Sequence, residues 1–255
     1  VIYQFSLYYL STISATAAYH RLWSHNSYEA STPLQIFYLI FATMASQSSA
    51  LWWAKAHRTH HRLEEQPGDP YNIKKGFYNA HIGWLVYGND EKEKEEINKT
   101  SIEDLKKNKL LVFQNNYYVY LWILLFIISF MIPVLFWNES YLNSILSSFI
   151  RIFVVLHSTW MVNSWAHSCG TNYYNKDLGT CESDLVSVVC MGDGWHSYHH
   201  RYPKDYRGSE DYKYNPTRSF INFTKLLGLS SNHHIRGDYD IPVKERFNLK
   251  YYKTI

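Results

Sequence analysis

The sequence is poor in cysteine and in charged residues. Only three of its 255 residues are cysteine, and Cys169, Cys181 and Cys190 form no C-x-x-C pair. This spacing argues against a disulfide framework and against a cysteine-rich zinc site, and it is typical of a reducing compartment. Charged residues make up 18% of the chain and the formal net charge is +3, which is too small to indicate a nucleic-acid-binding protein.

Two familiar motifs are also missing from the sequence. No G-x-G-x-x-G occurs, so the chain carries no fingerprint for a nicotinamide or flavin dinucleotide. No Glu-x-x-His occurs either, and that pair is typical of soluble helical bundles that hold two metal ions with carboxylates. Any redox chemistry would therefore need electrons from outside, and any two-metal site would need other ligands.

Apolar runs are abundant. Four stretches are long enough to be considered as membrane spans, at 1–19, 33–54, 119–137 and 142–165. The chain starts at Val1 inside the first stretch, so we expect a fragment whose natural N-terminus lies further upstream.

Histidine is abundant too, and eight of the 13 histidines fall into three short clusters. The first is HRLWSH, and the other two, HRTHH and HSYHH, share an H-x-x-H-H pattern. On a helix, positions i, i+3 and i+4 lie on one face, so each pattern predicts three imidazoles directed at one point. Eight imidazoles are too many for one ion, which usually takes about four to six ligands, so a two-metal centre is predicted. The eight residues are His20, His25, His57, His60, His61, His196, His199 and His200.

The histidine clusters constrain the topology. His20 closes the first apolar stretch and His57 follows the second. If 33–54 crossed the membrane, these two residues would lie on opposite sides and could not share a metal centre. We therefore expect 33–54 not to span, and the third and fourth stretches to cross out and back. Basic residues at 55–109 and 201–255 then place the metal side in the cytosol by the positive-inside rule.

Histidine clusters at a membrane surface could hold zinc or iron. Structural zinc sites favour cysteine, whereas a pair of irons activates dioxygen. Asn163 and His167 are four residues apart and could add a ninth imidazole and an amide that holds a water. The substrate expected beside a bilayer is a long apolar chain with a polar head. Attack on its unactivated methylene would need dioxygen and two electrons from a separate donor.

Three functions fit these residues. A fatty acyl desaturase is the leading hypothesis, and a lipid hydroxylase of the same metal class is the second, because both reactions begin by abstracting a hydrogen. The third is a non-enzymatic membrane metal-binding or transport protein. Transporters usually place polar ligands at the bilayer midplane, whereas these ligands lie at helix ends, which argues against transport.

The motifs HRLWSH, HRTHH and GDGWHSYHHRYP, in that order, resemble the acyl-CoA desaturases of the stearoyl-CoA desaturase type. GFYNAHIGWL, LVFQNNYY, VNSWAHSCG and YNPTRSFINF extend the resemblance over about 8–229. It implies an all-α integral membrane protein, in which transmembrane helices carry a cytosolic helical cap with a histidine-rich di-iron centre. It implies a single desaturase domain over 1–255, with its first membrane helix missing. The expected parts are spans near 1–19, 119–137 and 142–165, a non-spanning segment at 33–54, and a cap of 20–116 and 166–255.

The resemblance also implies the ligands of two Fe²⁺ ions, with Asn163 binding through a water. The nine histidines of the family pattern are all present: His20, His25, His57, His60, His61, His167, His196, His199 and His200. Which histidine serves which iron is left open. His81 has a family counterpart outside the ligand set, and we expect it to have a packing role.

Substrate-binding residues follow from the same resemblance. Gln47, Trp53 and Thr159 match positions that shape the bend of the acyl tunnel beside the metals. Tyr8 and Thr12 match positions at its far end. A further match, Trp160, lies beside the coenzyme in the family. Ordinary packing of membrane helices is the alternative role for the tunnel residues.

The implied partners are acyl-CoA, O₂, membrane lipid, and cytochrome b5 with an NADH-dependent reductase as electron donor. The implied product carries a cis double bond at Δ9, and the implied location is the endoplasmic reticulum membrane, multi-pass, with the active site facing the cytosol. The chain departs from the family at Lys55-Ala56, where Arg-Asp is typical, and at Gly88-Asn89, where a basic pair is typical. We therefore expect weaker binding of coenzyme A phosphates, unless Lys74, Lys75 or Lys92 compensates.

Overall fold

A computed structural model describes residues 1–174 and 179–236, and these are mainly helical. This confirms the predicted all-helical fold class. The α-helices are α1 (Ile2–Ser14), α2 (Thr32–Met44), α3 (Ala50–Leu63), α4 (Trp84–Val86), α5 (Glu91–Lys99), α6 (Glu103–Lys106), α7 (Lys109–Trp137), α8 (Tyr141–Ser164), α9 (Asp184–Val189), α10 (His196–Arg201) and α11 (Pro216–Leu226). π-Helical segments cover Ala15–Ser24 and Asn79–Gly83, and 3₁₀ turns cover Ile73–Lys75 and Trp165–His167.

Two helices in the described part of the chain are long and apolar enough to cross a membrane. They are α7, with 29 residues, and α8 together with the 3₁₀ turn that follows it, with 27 residues. α7 begins well before the predicted stretch, but Tyr117 leaves helical geometry at φ −113°, ψ 15°. This kink separates the polar start of α7 from the apolar part that was predicted as a span.

α1 runs directly into the π-helical segment Ala15–Ser24, and every residue of that segment is buried. His20 lies within it and His25 follows its last residue. The wider turn of a π-helix changes the direction of side chains, and such turns are frequent at functional sites.

The second apolar stretch is two helices and not one. α2 ends at Met44 and α3 begins at Ala50, and between them Ser46 and Ser48 adopt left-handed φ angles of 62° and 69°. α2 has 13 residues, or about 20 Å at 1.5 Å per residue, whereas the hydrocarbon core is about 30 Å thick. The break separates α2 from the helix that carries His57, His60 and His61.

A buried core joins the π-helical extension of α1 to α2, α3, α7 and α11. Its fully buried members include Tyr19, Tyr38, Leu111 and Ile221. Strands β1 (Glu29–Ala30) and β2 (Ser230–Ser231) pair in antiparallel fashion and hold the end of α11 beside the start of α2.

Candidate metal centre

The nine predicted histidines converge, and the structure divides them into two buried clusters. Within each cluster the ligand atoms all lie within 4.8 Å of one another. The five-histidine cluster contains His20, His25, His57, His61 and His199. The four-histidine cluster contains His60, His167, His196 and His200.

Each H-x-x-H-H motif is shared between the clusters, so the expectation that each directs three imidazoles at one point is wrong. In HRTHH, the first and last histidines join the five-histidine cluster and His60 joins the other. In HSYHH, the first and last join the four-histidine cluster and His199 joins the other. A helix turns about 100° per residue, so i and i+4 lie about 40° apart, whereas i+3 and i+4 lie about 100° apart. The i, i+4 pair therefore reaches one metal position and the remaining histidine reaches the next.

Both clusters converge through their Nε2 atoms. In the five-histidine cluster, Nε2 of His25 lies 2.8 Å from Nε2 of His57, and Nε2 of His199 lies 2.8 Å from that of His20 and 3.0 Å from that of His61. Nitrogen lone pairs this close are the arrangement that a shared metal ion would occupy.

In the four-histidine cluster, Nε2 of His196 lies 3.0 Å from that of His167 and 2.9 Å from that of His200. Nε2 of His60 is buried and has no hydrogen-bond partner in the described part of the chain. A buried polar atom without a partner is costly, and a metal ion would satisfy it.

One carboxylate supports the five-histidine cluster from behind. Oδ2 of Asp193 lies 2.8 Å from Nδ1 of His20, while Oδ1 of Asp193 accepts a hydrogen bond of 2.9 Å from the buried Arg21 guanidinium. Burial works against ionisation of Asp193, but His20 and Arg21 outweigh it and lower its pKa to about 2. The carboxylate therefore stays charged and fixes the orientation of the His20 ring.

Three carboxylates support the four-histidine cluster in the same way. An Nδ1–carboxylate contact fixes the tautomer that leaves Nε2 free for a metal. Asp69 lies 2.8 Å from Nδ1 of His60 and Glu64 lies 2.9 Å from Nδ1 of His200, whereas Glu65 lies 3.8 Å from Nδ1 of His167, beyond hydrogen-bond distance.

Most of the clustered imidazoles are held neutral. Burial, followed by the charges of neighbouring imidazoles, holds the pKa of six of them well below the usual value: His25, His57, His61, His196, His199 and His200. Burial also acts to lower the pKa of His60, but the charge and hydrogen bond of Asp69 outweigh it and raise that pKa. Neutral imidazole is the form that binds metal.

Glycine makes the turn before the third motif possible. Gly192 has a φ of +107°, and a Cβ there would lie 2.2 Å from Oδ1 of Asn215. A Cβ on Gly194 would lie 2.2 Å from the backbone N of Ser187. The GDG sequence therefore lets Asp193 approach the cluster between two tightly packed segments.

A cavity of about 560 Å³ leads to this centre. Its wall is mainly aromatic and includes His57 and Asn163 at its inner end. Four of the predicted substrate residues also line it: Gln47, Trp53, Thr159 and Trp160. The structure thus brings these four together with His57 and Asn163 in one cavity.

Gln47 links two walls of this cavity through hydrogen bonds. Its Nε2 donates to Oγ1 of Thr159 at 2.7 Å, and its Oε1 accepts from Nε1 of Trp53 at 3.2 Å. The Trp53 ring stacks on His57 with the ring centres 4.7 Å apart. The left-handed Ser46 and Ser48 on either side of Gln47 create the turn that places it there.

A smaller cavity of about 30 Å³ adjoins the first and lies between Thr16, His20 and Cys190. Tyr8 and Thr12 lie outside both cavities, one to two turns earlier in α1. The Tyr8 hydroxyl donates to the carbonyl of Val189. Tyr8 therefore lies beside the end of α9 and not in the wall of either cavity.

His81 lies apart from both clusters. Its Nδ1 is 2.9 Å from Oγ of Ser164, and its Nε2 is 3.0 Å from Nδ1 of His157, behind the Trp160 ring. These contacts agree with a packing role.

Cys190 lines the inner cavity, and all three cysteines are free thiols.

The supporting carboxylates Glu64, Glu65, Asp69 and Asp193 were not predicted from the sequence. The signal that could have identified them is their position beside the histidine motifs, in HRTHHRLEEQPGD and GDGWH. A charged residue next to a histidine motif is common, and only the folded chain shows that these four face imidazole Nδ1 atoms.

Comparisons with known proteins agree with this geometry. A model of the fatty acid desaturase family matches residues 1–207. The chain is 41% identical over 233 residues to stearoyl-CoA desaturase 2 of Rattus norvegicus, covering 90% of this chain and 65% of that protein. It is 41% identical over 227 residues to stearoyl-CoA desaturase of Homo sapiens, covering 88% and 63%. With acyl-CoA Delta-9 desaturase of Acheta domesticus the identity is 38% over 231 residues, covering 89% and 64%. The chain thus spans somewhat less than two thirds of the length of these curated relatives.

Proposed function

Because the chain belongs to the fatty acid desaturase family, we propose that it is an acyl-CoA desaturase that inserts a cis double bond, at Δ9, into a saturated long-chain acyl group. The observation that carries this proposal is the apolar cavity that ends at His57 and Asn163, beside two buried histidine clusters. Named relatives act on stearoyl-CoA and, in the cricket, at the Delta-9 position, which supports the substrate and the double-bond position.

Two Fe²⁺ ions are the proposed metals, one in each histidine cluster, with Asn163 binding one of them through a water. Neutral, buried imidazoles with free Nε2 atoms and carboxylate-bound Nδ1 atoms fit such ions. Iron would supply the activation of dioxygen and the removal of hydrogen from an unactivated methylene. The overall reaction removes two hydrogens from the acyl chain and takes two electrons and two protons from outside, so one O₂ leaves as two waters.

The protein's own residues orient the acyl chain and exclude water. The aromatic wall desolvates the chain, and the Gln47–Thr159 hydrogen bond fixes a bend beside the clusters. A bent chain presents two adjacent methylenes to one point, which favours a cis product at a fixed distance from the head group. Trp160 lies on the same wall, where the head group would be held.

Tyr8 and Thr12 are proposed to limit the length of the acyl chain beyond the bend. The inner cavity of about 30 Å³ is close to the volume of a single water molecule in the liquid. Replacing either residue with alanine should therefore admit longer acyl chains. An unchanged product distribution in both variants would assign them to plain helix packing.

The proposed topology places the metal centre on the cytosolic face of the endoplasmic reticulum membrane. We propose cytochrome b5 with an NADH-dependent reductase as the electron donor, since the chain itself carries no dinucleotide fingerprint. The proposed domain covers 1–255, with spans near 1–19, 119–137 and 142–165, a non-spanning 33–54, and a cap of 20–116 and 166–255. Labelled cysteines at Glu29 and Lys74 should report one side, and a cysteine at Glu139 the other.

Binding of coenzyme A is proposed to be weak. A groove of about 420 Å³ continues from the cavity past Trp84 and is lined by Gly88, Asn89 and Lys94. Lys74 pairs with Glu65 and Lys75 with Asp90 and Glu93, so neither is free to bind phosphates. Lys92 does not line the groove, and Lys94, which does, pairs with Glu91 at 2.8 Å.

Added charge should therefore improve binding of the substrate. Gly88 has a φ of +73°, which would strain an arginine there, so the change is better made at two other groove residues, half-buried Asn89 and exposed Asn98. Asn89→Lys with Asn98→Lys should lower the KM for acyl-CoA by about tenfold, and by less at high salt. Ser231→Lys, outside the groove, serves as the control. Wild-type binding as tight as that of a family member with the basic pair would contradict the proposal.

The activity itself is tested by expressing the full-length protein in a desaturase-deficient host. We expect monounsaturated fatty acids with the double bond at Δ9, and about two irons per purified chain. Hydroxylated lipids would indicate a hydroxylase, and bound metal without any change in lipids would indicate a metal-binding protein.

A further inference from the structure

α11 carries an apolar edge that faces away from the protein. Phe223, Leu226 and Leu227 are 54%, 85% and 55% exposed. The opposite, inward face is well packed, with Thr217, Ile221 and other residues buried. So much exposed apolar surface on one short helix marks an interaction site.

The exposed surface of α11 is divided into an apolar edge and a polar edge. Around the helix at about 100° per residue, Leu226, Phe223 and Leu227 form one sector next to Phe220, and the only polar side chain within it is the small, exposed Ser219. Arg218, Asn222 and Lys225 form the neighbouring sector. A helix with its apolar and polar residues on separate edges is suited to the boundary between lipid and water.

α11 lies antiparallel to α2. Strand β2, after α11, pairs with β1, before α2, and the Ser31 N–H donates to the Leu229 carbonyl at 2.9 Å. Further along, the Phe220 ring stacks on Phe37 of α2 with the ring centres 5.9 Å apart and 19° between the planes. The end of α11 is therefore beside the start of α2.

α2 also has an apolar outward face. Ile36 and Ile40, one turn apart, are 44% and 41% exposed. Because Phe37 and Phe220 join the two helices, this face continues into the apolar edge of α11. At its other end α11 contacts the first apolar stretch, where Oγ1 of Thr217 lies 2.6 Å from Oγ1 of Thr16. The Thr217–Thr16 contact is buried and anchors the start of α11, whereas the apolar edge of α11 continues into the outward face of α2.

We propose that α11 is a second interfacial helix, which lies beside α2 with Phe223, Leu226 and Leu227 among lipid acyl chains and Lys225 at the level of the headgroups. The proposal rests on the membrane topology given above, and it adds a lipid contact from the C-terminal part of the cap.

This contact would bear on the metal centre. Thr217, at the start of α11, donates from its backbone N and from Oγ1 to the Met191 carbonyl, at 3.1 and 2.7 Å. Met191 immediately precedes the GDGWHSYHH segment, which supplies Asp193 and three histidines. Lipid contacts that fix the position of α11 therefore also stabilise the turn before the third histidine motif.

The test uses a fluorescent nitrobenzoxadiazole label on single cysteines in the protein reconstituted into phosphatidylcholine vesicles. Cys169→Ser removes the partly exposed native thiol, and the other two native cysteines are buried. Leu226→Cys and Phe223→Cys report the apolar edge, and Lys225→Cys, the next residue on the polar edge, is the matched control. Brominated lipid should quench the label at 226 and 223 about threefold more than at 225, and aqueous iodide should quench in the reverse order.

Equal quenching by iodide at 225 and 226 would show that the edge faces water and would overturn the proposal. Protection of 226 from both quenchers would show that protein, such as a second copy of the chain, covers it, and would overturn it too. The readout requires neither iron nor turnover, so its failure is distinguishable from failure of the desaturase proposal.

Discussion

The two histidine clusters draw on the same two motifs but are supported differently. The five-histidine cluster has one carboxylate behind it, Asp193, which is shared with Arg21. The four-histidine cluster has fewer imidazoles but three carboxylates, Glu64, Glu65 and Asp69. The four-histidine cluster is thus surrounded by more negative charge than the five-histidine cluster. The number of ligands and the charge around them are alternative ways to hold a dication in a buried site.

The largest effect should come from removing one ligand in either cluster. His61 and His200 come from different clusters, yet their rings stack with the centres 4.2 Å apart. His61→Ala and His200→Ala should each reduce desaturation by more than about a hundredfold and lower the iron content by about one ion per chain. His233→Ala, outside both clusters, is the control. Near-normal unsaturated lipid in both variants would refute the two-metal assignment.

The next largest effect should come from removing the charge of one supporting carboxylate in each cluster. Asp69→Asn removes charge but keeps an acceptor for His60, so it should weaken metal binding in the four-histidine cluster by about tenfold to a hundredfold. Asp193→Asn should have a similar effect on the other cluster and also destabilise the fold by about 3 kcal/mol, because Arg21 loses its buried carboxylate. Metal titration and thermal unfolding of the two variants measure the difference. Equal unfolding temperatures would contradict it.

A smaller effect is expected at Asn163, which lines the cavity and lies one helical turn before His167. Asn163→Ala should lower activity about tenfold while both irons stay bound, because the amide holds a water and no imidazole is lost. Iron content measured beside turnover distinguishes this from the ligand variants. Loss of one iron would show that Asn163 is needed to hold the metal itself.

The smallest effect is expected at Glu65, whose carboxylate lies 3.8 Å from His167 and also pairs with Lys74. Glu65→Gln should change metal affinity in the four-histidine cluster by less than about tenfold, since the contact is long and partly compensated. Competition with a chelator gives the affinity. An effect as large as that of Asp69→Asn would mean that charge, and not contact geometry, dominates this cluster.

The sequence by itself determined the helical class, the two long apolar helices and the nine histidines, because composition and short spacings are local properties. Local spacing predicted that all three imidazoles of each motif meet at one point, whereas only the i and i+4 pair does. It did not predict that His60 and His199 each join the cluster opposite to the one that the other histidines of their motif join. That outcome depends on how two separate helices face each other.

Only the tertiary structure decided the rest. Ser46 and Ser48 divide an apolar run that composition alone describes as continuous. Asp193 reaches His20 across 173 residues of chain, and the cavity joins side chains from five separate segments. No period or motif in the sequence predicts such contacts, because they arise when helices distant in sequence pack around a shared buried space.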